Sequence, residues 1–136
     1  MSTTAVKSSG PRAVWRVRLW RAAFVLACLI HLYGLYSPRQ AGPEASFPLE
    51  DKLAHLLLFG SVAYLGLRVG VPARWLLPVL AANTIVSELV QHFLLPQRSG
   101  DPLDTVADLC GLALGAWLGF RALRAQKVAG HDMMGA

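Results

Sequence analysis

The stretch "LDTVADLCGLALGAWLGFRAL", residues 103–123, is long and apolar enough to cross a bilayer, yet it opens with two aspartates and has a glycine at every fourth position from 111 to 119. A hydrocarbon core needs about 20 helical residues at 1.5 Å each. At 100° per residue, Asp104, Asp108, Gly111, Gly115 and Gly119 share an arc of about 80°. Glycines spaced in this way let membrane helices approach closely, and Trp117 points away from them. Carboxylates on the same close-packing stripe must therefore face other helices and not lipid. The expected fold is an all-α bundle of transmembrane helices with an inward polar site.

Composition agrees. The chain has 136 residues, 54% of them hydrophobic and 15% charged, with a mean hydropathy of +0.44. A globule of this size cannot bury that much apolar side chain, whereas a bilayer can solvate it. Three further segments approach spanning length: Arg16 to Tyr36, Leu53 to Val71 and Trp75 to Leu95. The first has the shortest apolar run, Ala22 to Ile30, and reaches full length if Arg16, Arg18 and Arg21 snorkel beside Trp15 and Trp20. Pro78 lies near one end of the third, where a bundle tolerates a kink. Residues 13–126 are thus expected to form one four-helix transmembrane domain, with residues 1–12 and 127–136 as flexible tails.

The formal charge of +5 invites a nucleic-acid reading, but the thirteen Lys and Arg residues fall between apolar segments and form no surface stripe. No nucleic-acid partner is expected. As topology signals they divide unevenly. Lys7, Arg12, Arg16, Arg18, Arg21, Arg68, Arg74, Arg121, Arg124 and Lys127 would lie on one side, against Arg39, Lys52 and Arg98 on the other. Cytoplasmic segments hold the excess of basic residues, so both termini are expected to be cytoplasmic in a multi-pass protein of the plasma (inner) membrane. A cleaved signal peptide at "RVRLWRAAFVLACLIHLYGLYSPRQA" fits less well, because His31, Tyr33 and Tyr36 interrupt its core and no small-x-small site precedes the turn. Cys28 and Cys110 lie inside apolar segments and behave as small hydrophobes.

This topology gathers the scattered polar residues at the outer end. Asp51, Lys52 and His55 open span two; Glu88, Gln91 and His92 lie in the outer part of span three; Arg98 and Asp101 occupy the outer loop; Asp104 and Asp108 open span four. Asp51 with His55, Glu88 with Gln91 and His92, and Asp104 with Asp108 are each three or four apart and share a helix face. Glu88 would sit roughly 10 Å inside the membrane, where a carboxyl must be protonated or paired. The candidates for catalysis are His55, Glu88, His92, Asp104 and Asp108, and those for substrate binding are Asp51, Lys52, Gln91 and Arg98. Taken alone, His55 and His92 each better suit a hydrogen-bonded cross-link between helices than a catalytic or ligand role. His31 could join this site or simply pack, and Ser99 in "RSGDP" reads as a turn residue. HExxH and other compact metal motifs are absent, so neither metal nor cofactor is expected.

"DKLAH" (Asp51, Lys52, His55), "ELVQ" (Glu88, Gln91) and "PQRSGDPLDTVADLCGLALG" (Pro96, Arg98, Asp104, Gly111, Gly115) resemble the VanZ-like membrane proteins. The resemblance covers about residues 25 to 123 and departs at Asp108, where the family more often has Asn. It implies a small polytopic protein of the cell envelope, connected through the family's namesake with resistance to the glycopeptide antibiotic teicoplanin, and it carries no reaction assignment. Two functions follow as expectations. The outer pocket recognises an anionic membrane lipid or glycolipid head group, with Lys52 and Arg98 engaging phosphate. Alternatively the Glu/His/Asp cluster hydrolyses or transfers part of a lipid-linked envelope precursor.

Overall fold

The structure, a computed structural model, describes residues 11–38, 49–95 and 101–132, and these form four helices: α1 (Pro11–Tyr36), α2 (Glu50–Arg68), α3 (Ala73–Leu94) and α4 (Pro102–Asp132). The fold is all-α. Among the described residues, three stretches are long and apolar enough to cross a membrane: Val14–Tyr36, Ala73–Leu94 and Pro102–Ala129. α2 differs because its 19 residues begin with Glu50, Asp51 and Lys52 and end with Arg68. It is the central helix, packing against all three others, while no close backbone approach joins α1 to α4 among the described residues. α4 continues to Asp132, into the segment expected to be a tail.

Consecutive helices run antiparallel. Gly34 of α1 lies against Leu58 of α2, and Phe24 near Gly66. The turn from α2 to α3 is tight because Gly70 takes a positive φ of 89°, open to glycine at little cost. Val71 N–H then returns to the Gly66 carbonyl at 2.9 Å, and Pro72 leads into α3 with an extended backbone. α2 and α4 consequently run parallel, and they make the closest helix contact in the molecule. A methyl at Gly111 would collide with the Leu56 carbonyl, and one at Gly115 with the Gly60 carbonyl; Gly119 faces the Leu67 side chain. The glycine stripe of α4 therefore faces α2, and every third or fourth residue from Asp104 to Gly119 is buried.

The apolar core is small and centred on Phe59, Val62, Ala63 and Leu67 of α2, with Leu35, Leu76, Leu80, Leu112 and Ala116 around them. Many more large apolar side chains point outward, among them Leu26, Leu29, Ile30, Val79, Ile85 and Leu114. Such a lateral surface is suited to lipid. At the end where α2 finishes, guanidinium groups cover indole rings: Arg68 lies 4.7 Å from the centre of Trp20 and Arg121 4.9 Å from that of Trp117. Amphipathic pairs of this kind suit a membrane interface.

Candidate functional site

The polar site lies at the opposite end, where α2 and α4 both begin. "DP" at 101–102 starts α4 in an ordinary way: Asp101 Oδ1 accepts the Leu103 N–H at 3.0 Å, and Pro102 fills the first helical position, which needs no donor. The other oxygen of Asp101 reaches across to α2, where Lys52 Nζ donates to it at 2.6 Å. Lys52 also donates to Asp104 Oδ1 at 3.1 Å. These bonds, first to Asp101 and then to Asp104, hold the ammonium well above the usual lysine range. In turn Lys52, followed by the Leu103 N–H, lowers Asp101 below the usual carboxylate range.

One turn further in, His55 Nδ1 and Asp108 Oδ1 are 2.9 Å apart, with the two residues 3% and 1% exposed. When Asp108 is ionised its oxygen accepts from the Nδ1–H of His55, and Nε2 is left for another partner. Asp51 and Asp104 flank the imidazole. One potential ligand atom from each of Asp51, His55 and Asp104 lies within 4.8 Å of the others. The glycines explain how acids on two helices come this close. Asp51 and His55 form one rung pair, Asp104 and Asp108 the other, and directly beneath them Gly111 brings the α4 backbone against Leu56. A larger residue there would hold the two ladders apart.

Not every candidate joins this cluster. Glu88 is half-buried at its margin, within electrostatic range of Asp104, His55, Asp101 and Asp108. Gln91 is buried but faces α1, where its amide donates to the Leu35 carbonyl at 3.0 Å. His92 is exposed, with its ring edge-on to Phe93 at 4.7 Å. α3 is thus rotated so that Gln91, and not Glu88 or His92, points into the bundle. Arg98 and Ser99 lie outside the described residues.

A second polar group, separate from the first, ties α1 to α3. Tyr36 donates to Asn83 Oδ1 at 2.5 Å, and the Asn83 amide donates to His31 Nε2 at 3.1 Å, with His31 stacked edge-on against Phe59 at 4.5 Å. His31 therefore packs with Asn83 and not with the acids. The sequence reading passed over Asn83, although Asn83, Ser87 and Gln91 follow one another at intervals of four in an apolar helix. That spacing is the available signal for a buried polar stripe. Beside this group a groove of about 450 Å³ runs between α1 and α3, lined by Phe24, Cys28, Leu32, Val79 and Val86.

Chemically, the main site offers a buried carboxylate–imidazole pair capable of moving a proton and a set of oxygen and nitrogen donors around one point. Compared with protein-family models, with curated proteins and with solved structures, the chain matches none.

Proposed function

We propose that the chain is a four-span envelope protein of the VanZ-like type, in the plasma (inner) membrane, whose site at the starts of α2 and α4 faces outward and receives the polar head of an anionic lipid or glycolipid. The observation that carries this reading is the convergence of Lys52, His55, Asp104 and Asp108 at one end of a bundle whose sides are apolar. A lipid can place its chains along such sides while its head group meets the cluster. α2 counts as the fourth span because 19 residues rise roughly 28 Å, close to the thickness of a hydrocarbon core, with its charges at the two ends. The basic residues at the ends of the bundle remote from the acids support cytoplasmic termini.

The proton-competent His55–Asp108 pair favours a second reading, in which the pocket hydrolyses or transfers part of a lipid-linked precursor with His55 as general base. Native mass spectrometry of the purified chain and its Arg98→Ala variant tests the first reading. A lipid with a phosphorylated or glycosylated head should co-purify and be lost in the variant; equal retention of all lipids by both would refute it. Turnover of a purified lipid-linked substrate that disappears in a folded, inserted His55→Ala chain would establish the second. The link to glycopeptide resistance is checked by teicoplanin susceptibility of cells with and without the chain.

A further inference from the structure

We infer that Asp51, His55 and Asp104 hold a divalent metal ion, with Asp108 fixing the ring of His55 from behind. The role given to that ion toward a head group rests on the function proposed above; the ion site itself does not.

Three observations support the site. The first is geometry: three donors from two helices already lie within 4.8 Å of one another. Ligands to a transition ion sit about 2.0–2.2 Å from it, so opposite pairs can be no more than roughly 4.4 Å apart. Small side-chain rotations close the difference.

The second is the state of His55. It is 3% exposed and its Nδ1 is occupied by Asp108, which leaves Nε2 as the nitrogen a metal would take. A carboxylate on one ring nitrogen with the other aimed at a metal is the usual arrangement of a ligating histidine, because the carboxylate sets both tautomer and ring orientation.

The third is charge. Lys52 bonds Asp101 and Asp104, while Asp51 and Asp108 lie by His55, and Asp104 and Asp108 are 2% and 1% exposed. The two helix N-termini contribute roughly half a positive charge each. A divalent ion would bring positive charge to the carboxylates that Lys52 does not reach. Two carboxylates and an imidazole suit Mn²⁺ or Zn²⁺ better than Ca²⁺, which prefers a larger shell of oxygens.

The ion also resolves a difficulty at the pocket. Lys52 is already shared by Asp101 and Asp104, so it has little positive charge left for a phosphate. A metal with three protein ligands keeps open positions at which a head-group oxygen can bind.

The test uses the full chain in detergent micelles, stripped with a chelator and titrated with Mn²⁺ while the free-ion electron paramagnetic resonance signal is followed. The expected result is one Mn²⁺ bound per chain, displaced by Zn²⁺. Asp51→Asn, a half-buried position in the first turn of α2, should keep the thermal melt of the parent and lose at least about tenfold in affinity. Asp108→Ala should lose about 10- to 100-fold while every direct ligand remains. His92→Ala should bind as the parent does. The inference is overturned if the stripped parent binds no stoichiometric ion, as it would if protons alone neutralise the acids, or if Asp51→Asn binds like the parent. Stoichiometric Mn²⁺ binding by a parent chain with which no phosphorylated or glycosylated lipid co-purifies would count against the head-group reading alone.

Discussion

Gly115→Ala is the sharpest probe of the packing on which the site depends. A methyl at this position would overlap the backbone carbonyl of Gly60, an atom that no rotamer change can move. Restoring an ordinary contact means separating α2 and α4 by on the order of 1 Å, the kind of overpacking that costs up to about 3 kcal/mol. The better helix propensity of alanine returns about 1 kcal/mol. A net loss of about 2 kcal/mol, roughly a 30-fold shift in the unfolding equilibrium, is expected. Gly111→Ala should cost a similar amount, since its methyl meets the Leu56 carbonyl, and should also stretch the 2.9 Å His55–Asp108 contact one turn away. Gly119→Ala meets only the Leu67 side chain, which can shift, so its loss should be the smallest of the three. Reversible unfolding in mixed micelles, followed by circular dichroism, gives all three values. A Gly115→Ala chain as stable as the parent would refute the close α2–α4 contact, and with it the account of how the acids meet.

Other outcomes can be measured on the same preparation. Gln91→Leu removes a buried hydrogen bond to Leu35 and should lower stability by about 1 kcal/mol, whereas His92→Ala, on the exposed face of α3, should stay within about 0.5 kcal/mol of the parent. Tyr36→Phe should likewise cost about 1 kcal/mol by removing the bond to Asn83, without changing Mn²⁺ binding at the other polar group. The Lys52–Asp101 pair should give stability a characteristic pH dependence. Asp101 is lowered in the folded chain, so its contribution is present above the ordinary carboxylate value and is lost as pH falls through the lowered one. Lys52 is raised, so its contribution is present below the ordinary lysine value and is lost as pH rises through the raised one. Melting temperatures should therefore fall at both extremes, and Lys52→Met should weaken both dependences; an unchanged profile would show that the bridge does not form.

Much of the helix content and part of the site were legible in the sequence, for reasons confined to single helices. Apolar length predicts where helices run, and the 100° step predicts that Asp104 and Asp108 share the face of Gly111, Gly115 and Gly119. The buried pattern of α4 follows that stripe. The same step pairs Asp51 with His55, and both do line the cluster. The place of α2 was harder to read, since its terminal charges mark the ends of a helix but say nothing of its packing against all three others.

Tertiary structure decided what lies between helices. Periodicity states which residues share a face but not how that face is rotated toward its neighbours. Glu88, Gln91 and His92 are neighbours on α3, yet Gln91 turns inward to α1, Glu88 stays at the margin and His92 faces out. The partner of Lys52 could not be read from spacing, because Asp101 and Asp104 are 49 and 52 residues away and reach it only through the parallel approach of α2 and α4. The same holds for His55 and Asp108. Sequence alone determined the helices and the faces that carry acid, histidine and glycine; their meeting at one point was decided by backbone contact at Gly111 and Gly115, where the absence of a side chain lets two helices touch.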